Sequence, residues 1–126
     1  MILNLAVMPA FAGKPVGNGH ISLAAGNDYL QFNVFNDGDI AIAGVEVKIT
    51  VGGPIPSGNF YGVAGWSVLR GTDYALYETT GRTVIRRGQS GACGAFNCNP
   101  ADSYTVTWTI YDRKGNPISN GVIDWN

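Results

Sequence analysis

The sequence holds a few sets of residues with the types and spacing for chemistry. Asn36-Asp37-Gly38-Asp39 gathers carboxylate and amide oxygens of the kind that bind calcium. Cys93 and Cys98, spaced Cys-x4-Cys, suit a disulfide or one half of a zinc site. Phe60, Tyr61, Trp66, Tyr74 and Tyr77 crowd a glycine-rich stretch, and exposed aromatic rings of this kind stack against sugar faces. His20, the sole histidine, is the natural general base.

Each set has a plainer reading. Counting Asp37 as the first position of an EF-hand loop places Lys48, a cation, where the bidentate glutamate should stand, and the flanks alternate like strands rather than helices. The stretch therefore reads as a turn, in which Asn, Asp and Gly adopt positive φ and cap the local backbone. Zinc needs four ligands, and the cysteine pair finds only a distant His20 to help it. A disulfide closing the short Cys93–Cys98 loop is the favoured reading, which points to an oxidising setting; free thiols are the alternative. No metal site is expected.

Catalysis lacks its partners. None of the serines sits in a Gly-x-Ser-x-Gly elbow, and His20 follows Gly17-Asn18-Gly19 at a strand entrance, where a solvated histidine is ordinary. The two glutamates, Glu46 and Glu78, fall on solvent-facing strand positions or near a turn, and the aspartates sit in turn-like settings. Gly13-Lys14 lacks the rest of a phosphate loop. The chain reads as a non-enzyme without cofactors. For the aromatics, the core or a protein interface is favoured over a glycan platform.

The elements that must hold these residues are strands. Within Tyr29–Asn36, Leu30, Phe32 and Val34 alternate with Gln31 and Asn33; further on, Val45, Val47, Ile49 and Val51 alternate with Glu46, Lys48 and Thr50, and Tyr104, Val106, Trp108 and Ile110 with Thr105, Thr107 and Thr109. Weaker candidates are 21–25, 66–70, 74–78, 82–86 and 122–125, and turn signals such as Gly52-Gly53-Pro54 separate them. This spacing predicts an all-β, Ig-like antiparallel β-sandwich of about seven or eight strands. Residues 20–126 form its single domain, preceded by an apolar arm, residues 1–19.

Charged residues make up 13% of the chain, well below the roughly 25% of typical soluble proteins, and the net charge is -1. With no basic cluster longer than a pair, counterion release has little to act on, so nucleic acid is not an expected partner. No apolar run reaches the ~18 residues of a membrane span. The arm ends in Ala10-Phe11-Ala12, like a signal-peptidase site, but lacks a basic leader, and reads instead as a docking arm with Ile2, Leu3, Leu5 and Val7 as assembly contacts.

The stretch "LQFNVFNDGDIAIAGVEVKITV" resembles the first half of CARDB-type bacterial Ig-like domains. "VIRRGQSGAC" is similar to their turn into the next strand, and "YTVTWTIYDRKGNPI" to their closing hairpin. The resemblance covers about residues 28–118, and departs from the family in the apolar arm, the insert 52–77 and the cysteine pair. It implies an adhesion, spacing or presentation module without catalytic residues.

These readings together predict a non-enzymatic structural or interaction module. Low charge, long glycine-rich loops and an apolar start suit a virion surface subunit, such as capsid decoration or cement, or else an extracellular filament subunit. Its partners are other protein subunits, whether further copies or capsid and filament neighbours. The alternative is a carbohydrate-binding module that uses the aromatics of 60–77 on glycans.

Overall fold

The structure, a computed structural model, describes residues 15–126. The assembly residues Ile2, Leu3, Leu5 and Val7 lie outside the described residues. Among those described, nine strands and one short 3-10 turn, Ser57–Asn59, follow in order: β1 (Gly19–Ala25), β2 (Tyr29–Asn36), β3 (Gly44–Thr50), β4 (Phe60–Gly62), β5 (Trp66–Gly71), β6 (Tyr74–Thr79), β7 (Ser90–Asn97), β8 (Tyr104–Tyr111) and β9 (Pro117–Trp125).

They build two antiparallel sheets, β1-β2-β7-β4 and β5-β6-β3-β8-β9. The chain changes sheets five times, from β2 to β3, β3 to β4, β4 to β5, β6 to β7 and β7 to β8, within an Ig-like sandwich. Alternation explains why each sheet has one dry face. Leu30, Phe32 and Val34 of β2 and Val45, Val47 and Ile49 of β3 point inward and are buried, with Val106, Trp108 and Ile110 of β8 beside them. Each such side chain contributes roughly 1.5–3 kcal/mol through removal from water.

Two strands depart from the expected pattern. Residues 82–86 form no strand; only Ile85 pairs, in an isolated bridge to Ile42. β7 falls just after them, in a run of small residues. A register shift opposite Phe32 and Asn33 leaves Cys93, Gly94, Ala95 and Phe96 buried in succession, so period two is lost there. β4 is the further addition, too short to show a period.

The two flanks of the sandwich differ. On one, β4 leads directly into β5 through Val63–Gly65, where the Val63 amide donates to the Cys93 carbonyl and the Trp66 amide to the Val63 carbonyl, so the chain itself joins the sheets. On the other, β1 and β9 are the terminal strands of their sheets. They touch through the Ser119 hydroxyl, which donates to the Gly19 carbonyl at 2.9 Å.

Candidate functional site

The stretch 36–39 is a turn tied down by a buried amide. Asn36 is 3% exposed; its Nδ2 donates to the carbonyls of Ile40 and Ile85, both at 2.8 Å, and its Oδ1 accepts the Gly38 amide at 3.0 Å. None of the four residues has positive φ, contrary to the expectation, because the Asn36 side chain supplies the bend that a left-handed residue would otherwise make. The neighbouring carboxylates have local partners. Asp37 Oδ2 lies 2.6 Å from His20 Nδ1, and Asp39 Oδ1 lies 3.1 Å from an Arg87 guanidinium nitrogen. His20 in turn stacks on Phe35, its cross-strand neighbour, with centroids 4.6 Å apart. Among the described residues no three His, Cys, Asp or Glu side chains gather as a metal site.

The disulfide expectation is corrected: Cys93 and Cys98 are free. Both residues belong to or directly follow β7, and the extended run from 93 to 97 alone separates α-carbons by roughly 13 Å, whereas a disulfide needs them within about 7 Å. Cys93 points into the core, where burial pushes its thiol far above the ordinary range. Cys98 is half-buried beside Tyr104, and desolvation raises its thiol too. Two free thiols give no indication of an oxidising setting.

The five aromatics form no common surface. Phe60 and Tyr77 have no exposure and Trp66 is 8% exposed, so these three are core. Phe60 meets Phe96, and Tyr77 meets Phe32, at about 6 Å between rings. Tyr61 and Tyr74 keep one side in solvent but stand on different sheets. Glycine-rich surroundings gave these rings the look of a loop platform, whereas the glycine that makes room for one of them, Tyr77, is Gly94 on β7.

Two outer faces remain. On the four-stranded sheet, the outward residues of β1 are His20, Ser22 and Ala24; of β2, Tyr29, Gln31, Asn33 and Phe35; of β7, Ser90, Ala92 and Asn97, with Tyr61 of β4 at the far side. None is Asp, Glu, Lys or Arg. The Gln31 side-chain amide donates to Asn33 Oδ1 at 2.9 Å, so even its polar groups are partly matched within the face.

The five-stranded sheet carries charge and a cleft. Glu46 of β3 is held between two tyrosines: Tyr74 of β6 donates to Oε2 at 2.9 Å and Tyr111 of β8 to Oε1 at 3.4 Å. Desolvation, then the Glu46 hydrogen bond, pushes Tyr74 up to about 12, and the same causes raise Tyr111, so both hydroxyls stay donors at neutral pH. Next to this trio lies a cleft of about 380 Å³ whose walls include Gly44, Leu76, Glu78, Arg82, Tyr111 and Arg113. The sequence reading had placed Glu46 and Glu78 on solvent-facing positions but could not see their neighbours, which come from strands far apart in the chain.

No protein-family model matches the chain, and no curated protein matches it. The likeness to CARDB-type domains rests on the sequence patterns alone.

Proposed function

We propose that this protein is a non-enzymatic interaction module, a subunit that joins other protein subunits at a virion surface or in an extracellular filament. One observation supports this reading above others: the outer face of the four-stranded sheet, together with its terminal strand β1, holds no Asp, Glu, Lys or Arg. Proteins that stay apart blunt a free sheet edge with charge, proline or a bulge, because unpaired backbone groups there recruit other strands. β1 has none of these within Gly19–Ala25. The opposite flank is guarded, since β4 is only three residues long and β5 carries Arg70.

Further copies of the chain are the first expected occupants of the β1 flank. The alternation of Leu3, Leu5 and Val7 suits a strand added to such an edge. The glycan platform at 60–77 is not carried forward, because three of its five rings are in the core.

Sedimentation velocity over a range of concentrations tests the proposal. The native protein is expected to associate, and Ser22→Lys and Ala24→Lys, both on the outward side of β1, to leave it monomeric with unchanged thermal stability. A native protein that is monomeric throughout, and whose stability is unchanged by deletion of residues 1–12, overturns the reading.

A further inference from the structure

The opposite face of the sandwich holds a site that the assembly reading does not use. Tyr111 stands directly across from Gly44, where a β-carbon would lie 3.3 Å from Tyr111 Cβ and 3.7 Å from Cδ2. Its hydroxyl reaches Glu46, two residues further along β3. The ring is therefore laid along β3 over a residue with no side chain and anchored at its far end, leaving it half-buried with its remaining surface on the cleft. This is a rigid aromatic platform built on strands.

The polar groups around it have free valence. Arg82 and Arg113 line the cleft, and among the described residues the guanidinium that meets a carboxylate is that of Arg87, with Asp39, so neither of these two has a carboxylate partner. Asp112 also lines the cleft and keeps its charge, but its oxygens are directed at its own turn, where Oδ1 accepts the amides of Lys114 and Asn116 and Oδ2 the Asn116 side chain, so it makes no ion pair with either arginine. Glu78, exposed on the rim, is an uncommitted acceptor.

We propose that this cleft binds an acidic saccharide, a sugar ring that bears one carboxylate. The apolar face of the sugar lies on Tyr111, its carboxylate meets Arg82 and Arg113, and its hydroxyls donate to Glu78. Each part excludes a competitor. A neutral sugar leaves two guanidiniums unanswered. A nucleic acid or other polyanion finds a carboxylate on the rim and an overall charge of -1. A simple carboxylate makes no use of the ring.

Amide chemical shifts of labelled protein, followed while methyl glucuronide, methyl galacturonide, methyl glucoside or acetate is added, test the proposal. At least one of the two uronides is expected to give saturable shifts at Gly44, Gly81 and Gly115, with weaker binding of the glucoside and acetate. Replacing both arginines (Arg82→Gln with Arg113→Gln) should weaken uronide binding about tenfold or more and leave the glucoside unchanged. Both arginines are exposed, so this pair decides the matter even if Tyr111→Leu fails to fold. Absence of shifts with either uronide, shifts confined to other surfaces, or acetate binding as tightly as the uronides overturns the proposal. Monomeric behaviour in sedimentation, with stability unchanged by deletion of residues 1–12, would defeat the assembly reading and leave this one standing.

Discussion

Tyr77 of the five-stranded sheet donates its hydroxyl across the core to the Ala95 carbonyl of the four-stranded sheet, at 3.1 Å. Its ring fits only because the residue before Ala95 is glycine: a β-carbon at Gly94 would collide with Tyr77 Cε1. The sheets are therefore locked by a tyrosine and a vacancy that match.

Gly94→Ala is expected to destabilise the fold by about 3 kcal/mol, since the ring and the β7 backbone cannot both hold their places. Tyr77→Phe keeps the ring and loses only the bond, and should cost about 1 kcal/mol. Urea unfolding of the two variants checks the order; equal costs would mean that the hydroxyl, not the space, governs the contact.

Asn36→Ala strips the carbonyls of Ile40 and Ile85 of a donor in a buried setting, with an expected cost of about 3 kcal/mol. Asn36→Asp should be no better, because a carboxylate cannot donate to two carbonyls. Calcium should not rescue either variant; calcium-dependent melting of the native protein would restore the ion-loop reading of 36–39.

The cysteines give a mass and reactivity test. Intact mass without reductant should equal that of the dithiol, and a thiol reagent added to the native protein should modify Cys98 slowly and Cys93 only on unfolding. A mass lower by two hydrogens would show that β7 is not extended as described.

Alkaline pH should weaken the fold. Burial raises Cys93 and Tyr77 well above their ordinary values, and Tyr74 and Tyr104 stand at about 12. For groups held neutral in the folded state, the unfolded chain loses protons first. Their stability contribution is whole below about pH 8.5, where an unfolded cysteine begins to ionise, and drains away as pH rises towards the folded values. Denaturation midpoints should be flat from about pH 7 to 8.5 and fall above that, and Cys93→Ala should flatten the first part of the decline. A midpoint that rises with alkalinity contradicts this account.

The strands that pack one face on the core and show the other to water were legible in the sequence. β2 occupies the predicted residues, and β3 and β8 lie within a residue of theirs. β7 was implied by the likeness of "VIRRGQSGAC" to a turn into a strand but not by alternation, because its glycines and alanines have little apolar contrast and the register shift at Phe32 breaks the period. Phe60, Trp66 and Tyr77 were visible as a cluster, but the core places of Phe60 and Tyr77 rest on Phe96 and Gly94, far along the chain. Glu46 and Tyr111 are 65 positions apart, and only the β3–β8 register joins them.

The uncharged outer face of β1, β2 and β7 bears on how any contact made there responds to solution conditions. With no Asp, Glu, Lys or Arg on that surface, and the His20–Asp37 pair confined to one end of β1, dissolved electrolyte has little to shield, so attachment through it would keep most of its strength from dilute buffer to brine. Adhesion of that kind answers to heat and to agents that compete for amide groups, and hardly at all to ionic strength.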